Sequence, residues 1–519
     1  MLSKSRYLAG RQCFKRLWIE ANRRELVPPV DAATKAVFDQ GHEVGRLAQQ
    51  LFPGGMEITG GRFRWMEAAA KTRDALAWRL PLYEATFVAG GAGGAGEGGG
   101  DADVGCRVDI LVPVDDDGGE AGSAGAWDLY EVKSGTSARD ENVEDLALQA
   151  WIVRSAGLRV RRTSLVHLSS DYVREGALDL RRLFTVVDLG EQVAALAREI
   201  PQRVAELVAV AALPAEPEIA IGPHCKAPHT CPLLPYCWGE RPEHDLLDLR
   251  RGGQRMWQLY GSGVRDLRSL PATAELQADQ RIQVEAARTG EAHVNRAAIA
   301  SFLEQLPYPR LFLDFETFAS AVPPFDGTRP YQQIPFQFSL HRLEEEGAAP
   351  RADAWLAPDG DDPRAGFLAA LRAAIGELDA AAGGGPPPAI LVYNASFERR
   401  VLAETAAHFP EHVEWAARVT GRLVDLLDPF ARFDYYHPAQ RGSASLKRVL
   451  PVLGDRGYDE LEIQEGQLAA REFVRSNAPG TTAAERESIR RALLDYCARD
   501  TAGMIEIVAA LERLVAERG

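Results

Sequence analysis

The sequence predicts an α/β protein built from two domains. Three observations indicate this fold class: a length of 519 residues, apolar residues at strand and helix spacings, and strand patterns that alternate with helix patterns in the second half. One hydrophobic core rarely serves a chain of this length. We therefore expect domains over residues 1–240 and 305–519, joined by a helical linker over 241–304.

Composition and charge indicate the general class of protein. Apolar residues make up 46% of the chain and charged residues 26%, as in ordinary water-soluble proteins. The sequence has neither an apolar run that could span a bilayer nor a signal peptide, so we expect a cytoplasmic protein with no membrane partner. The net charge of −15 argues against nucleic acid binding, because phosphate contacts need positive charge, unless basic residues are confined to one groove.

The first set of polar residues lies on a predicted β-hairpin. Residues 104–112 and 127–133 have strand patterns, and the Asp-, Gly- and Ser-rich segment between them predicts an enlarged turn. Glu131 and Lys133 share one strand face, because side chains two residues apart point the same way. Asp109 lies on the partner strand, so two carboxylates and an ammonium are expected in one pocket suited to Mg²⁺ or Mn²⁺.

Predicted helices flank the hairpin. Residues 141–157 have apolar positions at helical spacing and would place Gln149 over the hairpin face, and residues 190–212 predict another helix. His42 lies on an earlier helical stretch and is a candidate nitrogen ligand. The alternative is a surface hairpin that carries alternating charges without a site.

In chain order, these residues resemble the RecB-like branch of the PD-(D/E)xK nucleases. The resemblance rests on His42, residues 83–87, Asp109, the segment Glu131-Val132-Lys133 and the segment Gln149-Ala150-Trp151. It implies a restriction-endonuclease-like fold in which the histidine, the aspartate, the glutamate and the Val132 carbonyl bind metal. It also implies that Lys133 is catalytic and that Gln149 supports the site.

Four cysteines form the second set. Cys225, Cys231 and Cys237 lie in a Pro-punctuated segment, and Cys13 lies near the start of the chain. Four thiolates suit a [4Fe–4S] cluster or a tetrahedral zinc ion, and unrelated loop cysteines are the alternative. One early and three late cysteines resemble the iron–sulfur RecB-like nucleases, which implies that these four hold the cluster. The other two are expected to be ordinary buried residues: Cys106 and Cys497.

Acidic residues of the C-terminal domain form the third set. An apolar strand pattern runs into Asp314 and Glu316, which share a strand face. A second strand pattern leads to Glu398 at a helix start, and Tyr496 and Asp500 lie on one helix face. Four acids and a phenol suit a two-metal site, whose metals lie about 4 Å apart. Solvent-facing acids at a sheet edge are the alternative.

The order of these residues resembles the DnaQ-like, DEDD-type 3′–5′ exonucleases of the tyrosine subclass, on an RNase H-like fold with a mixed sheet. The resemblance implies that Asp314, Glu316, Glu398 and Asp500 bind metal and that Tyr496 orients the attacking water. Glu398 departs from the family pattern, which has Asp at this position. Asp425 matches an additional acid that is frequent in related domains. Residues 442–448 contain Ser, Lys and Arg before a predicted helix, which suits either phosphate contact or a plain helix cap.

The two halves together resemble a bacterial family of uncharacterised function that fuses both nuclease domains. We therefore expect a metal-dependent nuclease that hydrolyses phosphodiester bonds at single-stranded DNA ends, with two candidate active sites. Two alternatives stay open. One is a nucleic-acid-binding protein in which one site is degenerate, and the substitution at Glu398 makes the C-terminal half the candidate. The other is a redox-sensing iron–sulfur protein.

Overall fold

The computed structural model describes residues 1–60, 64–90, 104–114, 125–378, 388–454, 457–458 and 461–517. The described residues form an α/β protein with mixed sheets, which confirms the predicted fold class. The loops predicted at residues 90–100, 115–125 and 381–388 fall almost wholly outside these ranges. No helix in the described ranges has the length and apolar character needed to cross a membrane.

The chain divides into two compact units. Unit 1 comprises Met1–Gly239 and Ser320–Gln332, and unit 2 comprises Glu240–Ala319 and Gln333–Gly519. The chain therefore enters unit 2, contributes one short segment to unit 1, and returns. Within unit 1 the guanidinium of Arg174 donates to the carbonyls of Pro323 and Pro324, at 3.0 and 2.7 Å, and holds this segment in place.

Unit 1 contains a mixed sheet between helices. Its strands are β1 (Leu2–Ser3), β2 (Met56–Glu57), β3 (Leu82–Ala89), β4 (Val104–Val114), β5 (Ala126–Lys133), β6 (Val160–Leu168) and β7 (Phe184–Asp188). Its helices are α1 (Lys4–Gln12), α2 (Phe14–Asn22), α3 (Ala32–Gln49), α4 (Trp65–Leu76), α5 (Asp140–Ser155), α6 (Leu180–Leu183), α7 (Gly190–Leu196), α8 (Ile200–Ala211) and α9 (Leu234–Trp238).

The predicted hairpin is present in this sheet. β4 and β5 pair antiparallel from Ile110 opposite Tyr130 to Val114 opposite Ala126. In the described residues the strand order is β2-β3-β4-β5-β6-β7, with β1 also paired to β4. Helix α5 covers one face of the sheet, where its buried Leu146 and Ile152 join the apolar core.

The single helix predicted over residues 190–212 is wrong. The structure has two helices there, α7 and α8, and the second begins at Ile200 with Pro201 in its first turn. Proline lacks an amide hydrogen and disfavours a helical turn before it, so it suits the start of a helix and interrupts a continuous one. The apolar spacing continues through the break, which is why the pattern alone predicted one helix.

Unit 2 contains a second mixed sheet. Its strands are β9 (Arg310–Phe318), β10 (Ile334–Leu343), β11 (Arg351–Leu356), β12 (Ala389–Val392) and β13 (Leu423–Asp425). Two further strands, β8 (His293–Val294) and β14 (Tyr435–Tyr436), pair antiparallel in a separate two-stranded sheet. Its helices are α10 (Gly253–Gly261), α11 (Ala278–Thr289), α12 (Arg296–Leu303), α13 (Pro363–Ile375), α14 (Ala395–Ala406), α15 (Pro410–Thr420), α16 (Asp428–Ala431), α17 (Leu446–Leu453), α18 (Gly466–Ser476) and α19 (Ala483–Ala516).

β9 is the central strand of this sheet. Among the described strands the order is β11-β10-β9-β12-β13, in which β9, β10 and β11 pair antiparallel and β12 runs parallel to β9 and β13. The apolar side chains of β9, such as Leu311 and Leu313, are fully buried. A central strand enclosed in this way gives its polar side chains fixed positions.

Candidate functional site

Three acids of unit 2 converge beside the central strand. Asp314 and Glu316 lie two residues apart on β9, and Asp500 lies on α19. One carboxylate oxygen from each lies within 4.8 Å of the others, and this is the set of potential metal ligands found in the described residues. The strand spacing and the packing of one long helix therefore bring together acids that are far apart in sequence.

The charges of these acids are poorly compensated within the protein. Burial, followed by the charge of Glu316, raises the pKa of Asp314 to about 7. Burial and Asp500 raise the pKa of Glu316 to about 8, and burial and Asp314 raise the pKa of Asp500 to about 8. Like charges near one another out of water are unfavourable unless a cation or a proton neutralises them. Carboxylate oxygens in this arrangement are the ligands that Mg²⁺ and Mn²⁺ prefer.

Glu398 lies next to this set but outside it. Its side chain is 3% exposed on α14, and its Oε2 atom has no hydrogen-bond partner among the described residues. Burial, followed by the charge of Asp314, raises the pKa of Glu398 to about 9. A buried acid with an unsatisfied oxygen is costly, so Glu398 is available to a further cation at the site.

Asp425 has a different environment. Its carboxylate accepts hydrogen bonds from the backbone amides of Asn394, Ala395 and Leu427, at 2.9, 2.9 and 3.0 Å. The first two bonds satisfy amides at the start of α14, which have no partner within the helix. Asp425 thus holds the strand-to-helix junction that positions Glu398.

Two phenols contact Asp500. Tyr496 lies one turn earlier on α19 and donates to Asp500, as the sequence spacing allows. The hydroxyl of Tyr458 also donates to the Asp500 carboxylate. The Nζ atom of Lys447 lies over both rings, 5.6 Å from the centroid of Tyr458 and 5.5 Å from that of Tyr496. Sequence analysis missed Tyr458, because no strand or helix pattern surrounds it.

Cys497 is buried, as the sequence analysis expected, but it also contacts the acids. Its Sγ atom lies 3.4 Å from Oδ2 of Asp314. Burial raises the pKa of the Cys497 thiol, so the side chain is a neutral donor to that carboxylate. Its position directly after Tyr496 in the sequence was the feature that could have indicated a place near the acids.

The acids of unit 1 form a second site around Glu131. This side chain, 1% exposed on β5, accepts from Nζ of Lys133 at 2.6 Å and from Nε2 of Gln149 at 2.6 Å. Asp109 lies on β4 just before the segment that pairs with β5, where its Oδ2 atom accepts from the amide of Val132 at 2.7 Å. The structure therefore brings together Asp109, Glu131, Lys133 and Gln149.

Two residues that the sequence analysis missed complete this site. Asp145 on α5 accepts from Lys133 at 2.9 Å and from Gln149 at 2.8 Å. Lys4, the first residue of α1, donates to Oε1 of Glu131 at 2.8 Å. Asp145 precedes Gln149 by one helical turn, a spacing that could have revealed it, whereas nothing in the sequence pattern indicates Lys4.

The two lysines set the charge state of Glu131. Burial acts to raise the pKa of this carboxyl, but Lys133 and Lys4 outweigh burial and hold it well below its usual range. Asp109 has no comparable partner, and burial, followed by the charge of Glu131, raises its pKa to about 8. The ionised carboxylate and the protonated lysines are therefore both present near neutral pH.

His42 does not join this site. It lies on α3 with an exposed side chain. In the described part of the chain, His42, Asp109 and Glu131 do not form a set whose ligand atoms lie within 4.8 Å of one another. The order of these residues in the sequence predicted a shared site, but order along the chain does not fix the direction in which a helical side chain points.

The four predicted cysteines line one small cavity of unit 1: Cys13, Cys225, Cys231 and Cys237. The cavity also has apolar walls, including Leu233 and Ile221. The amide of Gly222 donates to Sγ of Cys225 at 3.5 Å. Thiols are the donors of [4Fe–4S] clusters and of many zinc ions, and in the described residues no three of these four sulfur atoms lie within 4.8 Å of one another.

Part of the chain is similar to a known protein family. Residues 311–445 match a family described as a domain of unknown function, DUF2779. The matched region includes Asp314, Glu316, Glu398 and Asp425, and ends before Tyr496 and Asp500. The comparison with curated proteins found no match.

Proposed function

We propose that the protein is a metal-dependent nuclease. The observation that carries this proposal is the convergence of Asp314, Glu316 and Asp500 within 4.8 Å, with an unsatisfied oxygen of Glu398 beside them. Enzymes that hydrolyse phosphodiesters use such carboxylate sets to hold divalent cations. Mg²⁺ or Mn²⁺ bound there would supply the positive charge that stabilises the phosphate as its bond breaks.

The described residues have distinct parts in this chemistry. Asp314, Glu316 and Asp500 would hold the first cation, and Glu398 would extend the set to a second. Tyr496 donates to Asp500 and would orient a water molecule toward a phosphate. Lys447 supplies a positive charge near Glu316 and Asp500. This arrangement supports assignment of unit 2 to the DnaQ-like exonucleases, and its mixed sheet suits an RNase H-like fold.

Unit 1 would provide a second nuclease site of the RecB-like PD-(D/E)xK type. Asp109 and Glu131 would hold a divalent cation, together with the carbonyl of Val132. Lys133 donates to Glu131 in this structure and would contact the phosphate when substrate is present. Gln149 fixes Glu131 from the covering helix. His42 would contribute only if α3 presented it to these acids.

The cysteine cavity would hold a [4Fe–4S] cluster, with zinc as the alternative occupant. The four sulfurs come from both ends of unit 1, because Cys13 follows α1 and the others lie beyond α8. A bound cluster would tie these ends together and stabilise the unit. Iron-linked absorbance of the anaerobically purified protein, lost on chelation, is expected; zinc content without iron would favour the alternative.

The nuclease proposal is tested by product analysis on end-labelled single-stranded and double-stranded DNA, with Mg²⁺ or Mn²⁺. We expect metal-dependent cleavage of single-stranded ends by the wild-type chain. The variant Lys133→Met/Asp314→Asn should lose it, because one substitution disables each site. Lys35→Met/Asp495→Asn is the matched control, since both of its targets are exposed. Equal activity of the two double variants would refute the proposal, and binding without cleavage by the wild type would favour a nucleic-acid-binding protein.

A further inference from the structure

Lys4 lies at the centre of the unit 1 carboxylate site. Its Nζ atom is 2.8 Å from Oε1 of Glu131 and 3.5 Å from Oδ2 of Asp145. Lys133 contacts the same two oxygen atoms, at 2.6 and 2.9 Å. Two ammonium groups therefore share one pair of carboxylates. A divalent cation that binds Glu131 would have to displace one of them, because like charges repel at these distances.

The exposure of the two lysines indicates which one moves. The side chain of Lys133 is 33% exposed and that of Lys4 is 22% exposed, so Lys133 has the better access to solvent and substrate. Lys4 is also fixed by its backbone. Ser3 pairs with Gly105 of β4, the strand that carries Asp109, and its Oγ atom accepts from the amide of Arg6 to cap α1.

Helix α1 connects Lys4 to the cysteine cavity. At its other end the Gln12 amide donates to the carbonyls of His224 and His229, at 2.7 and 2.6 Å. The next residue is Cys13, which lines the cavity. A helix of this length spans about 13 Å as a rigid rod, at roughly 1.5 Å per residue. The segment between two of the cavity cysteines is thus hydrogen-bonded to the helix that begins with Lys4.

The middle of α1 is held against α5, which carries Asp145. Glu144 accepts from the hydroxyl of Tyr7 at 3.0 Å and from Nε of Arg11 at 2.5 Å. Arg203 of α8 donates to the same oxygen at 2.9 Å. Lys4 and its partner Asp145 therefore belong to one braced pair of helices.

We propose that Lys4 is a positioning residue of the unit 1 site, held in place through α1 by the cysteine cavity. It keeps its positive charge on Glu131 and Asp145, so that Lys133 is free to leave them for the phosphate. This inference rests on the proposed nuclease function and adds a residue and a connection to it. The cysteine cavity, helix α1 and the Lys4 ammonium group thus form a continuous connection between the cysteines and the carboxylate site.

The first test measures Mn²⁺ binding by calorimetry and cleavage by unit 1 in the full-length Asp314→Asn/Asp500→Asn background. Lys4→Met should bind Mn²⁺ at unit 1 at least about 10-fold more tightly, because a nearby positive charge is removed. Its kcat should nevertheless fall by about 10-fold or more with little change in KM, since Lys133 stays on the carboxylates. Lys35→Met, a change of an exposed lysine, should leave the Mn²⁺ affinity, kcat and KM unchanged.

Opposite changes in metal affinity and kcat distinguish positioning from a structural role, which would lower both. Weaker or unchanged Mn²⁺ binding by Lys4→Met would overturn the inference, as would no Mn²⁺ binding to unit 1 in either protein. Tighter binding without any cleavage by the parent protein would instead support the role of Lys4 in metal binding and refute nuclease activity of unit 1. The two failures are therefore distinguishable.

The second test examines the connection through α1. Gln12→Ala removes the amide that contacts the cysteine loop and leaves all four thiols and Lys4 in the chain. It should tighten Mn²⁺ binding by about 3-fold when Lys4 is present and have no effect alongside Lys4→Met, because coupled residues are not additive. Equal effects in both backgrounds would overturn the connection.

Discussion

The two carboxylate sites solve the same electrostatic problem differently. In unit 1, Glu131 and Asp145 are paired with Lys4 and Lys133. In the described residues of unit 2, no ion pair involves Asp314, Glu316 or Asp500, and their pKa values are raised to about 7 or 8. The charges of buried acids can therefore be neutralised either by cationic side chains, as in unit 1, or by protons, as in unit 2. We expect the ionised form of the unit 2 acids to depend more strongly on a bound metal ion.

The largest expected effect is on catalysis by unit 2. In the Lys133→Met background, Asp500→Asn should lower cleavage by about 10³-fold, which corresponds to ~4 kcal/mol of transition-state stabilisation. The physical reason is the loss of a carboxylate shared by the cation and two phenols. Cleavage rates at saturating Mn²⁺ give the measurement. Asp495→Asn, an exposed acid on the same helix, is the control, and a similar loss there would contradict the assignment.

The second effect is on stability without metal. Between pH 4 and pH 8 the folded acids of unit 2 hold protons that the unfolded chain has lost, because their folded pKa values are raised to about 7 or 8. Stability must therefore fall as pH rises through this range, by up to about 1.4 kcal/mol per pH unit for each group. Thermal unfolding in a chelator at pH 6 and pH 8 measures this slope.

Two control measurements test whether the unit 2 acids cause this pH dependence of stability. Asp314→Asn/Asp500→Asn should flatten the slope, because two of the titrating acids are gone. Saturating Mn²⁺ should also flatten it, because the cation replaces the protons. A slope that is the same in wild type, variant and metal-loaded protein would mean that the unit 2 acids are compensated as fully as Glu131 is in unit 1.

The smallest expected effect concerns Glu398. Glu398→Gln should weaken Mn²⁺ binding by unit 2 by about 10-fold, because it removes one negative charge adjacent to Asp314. Glu398→Asp keeps the charge and should have a smaller effect. Calorimetry in an Asp109→Asn/Glu131→Gln background, which lacks the unit 1 carboxylates, gives both values, with the exposed Glu414→Gln as control. Unchanged affinity in Glu398→Gln would leave Glu398 outside the metal site.

Local patterns allowed most of each site to be predicted. The period of two along β5 and β9 placed Glu131 with Lys133 and Asp314 with Glu316. The helical period placed Tyr496 one turn from Asp500. Residues outside such patterns were missed: Lys4 and Tyr458 reach their sites from segments whose sequences carry no periodic signal.

Sequence patterns were enough to predict the α/β class, the strands that carry the acids, and the four cysteines that line one cavity. Backbone periodicity fixes which neighbours share a face, and this information is local. The three-dimensional packing was needed to establish that Lys4 neutralises Glu131, that His42 is exposed on α3, and that Asp425 caps a helix. These outcomes depend on the packing of distant segments, which sets the burial and the partners of each charge.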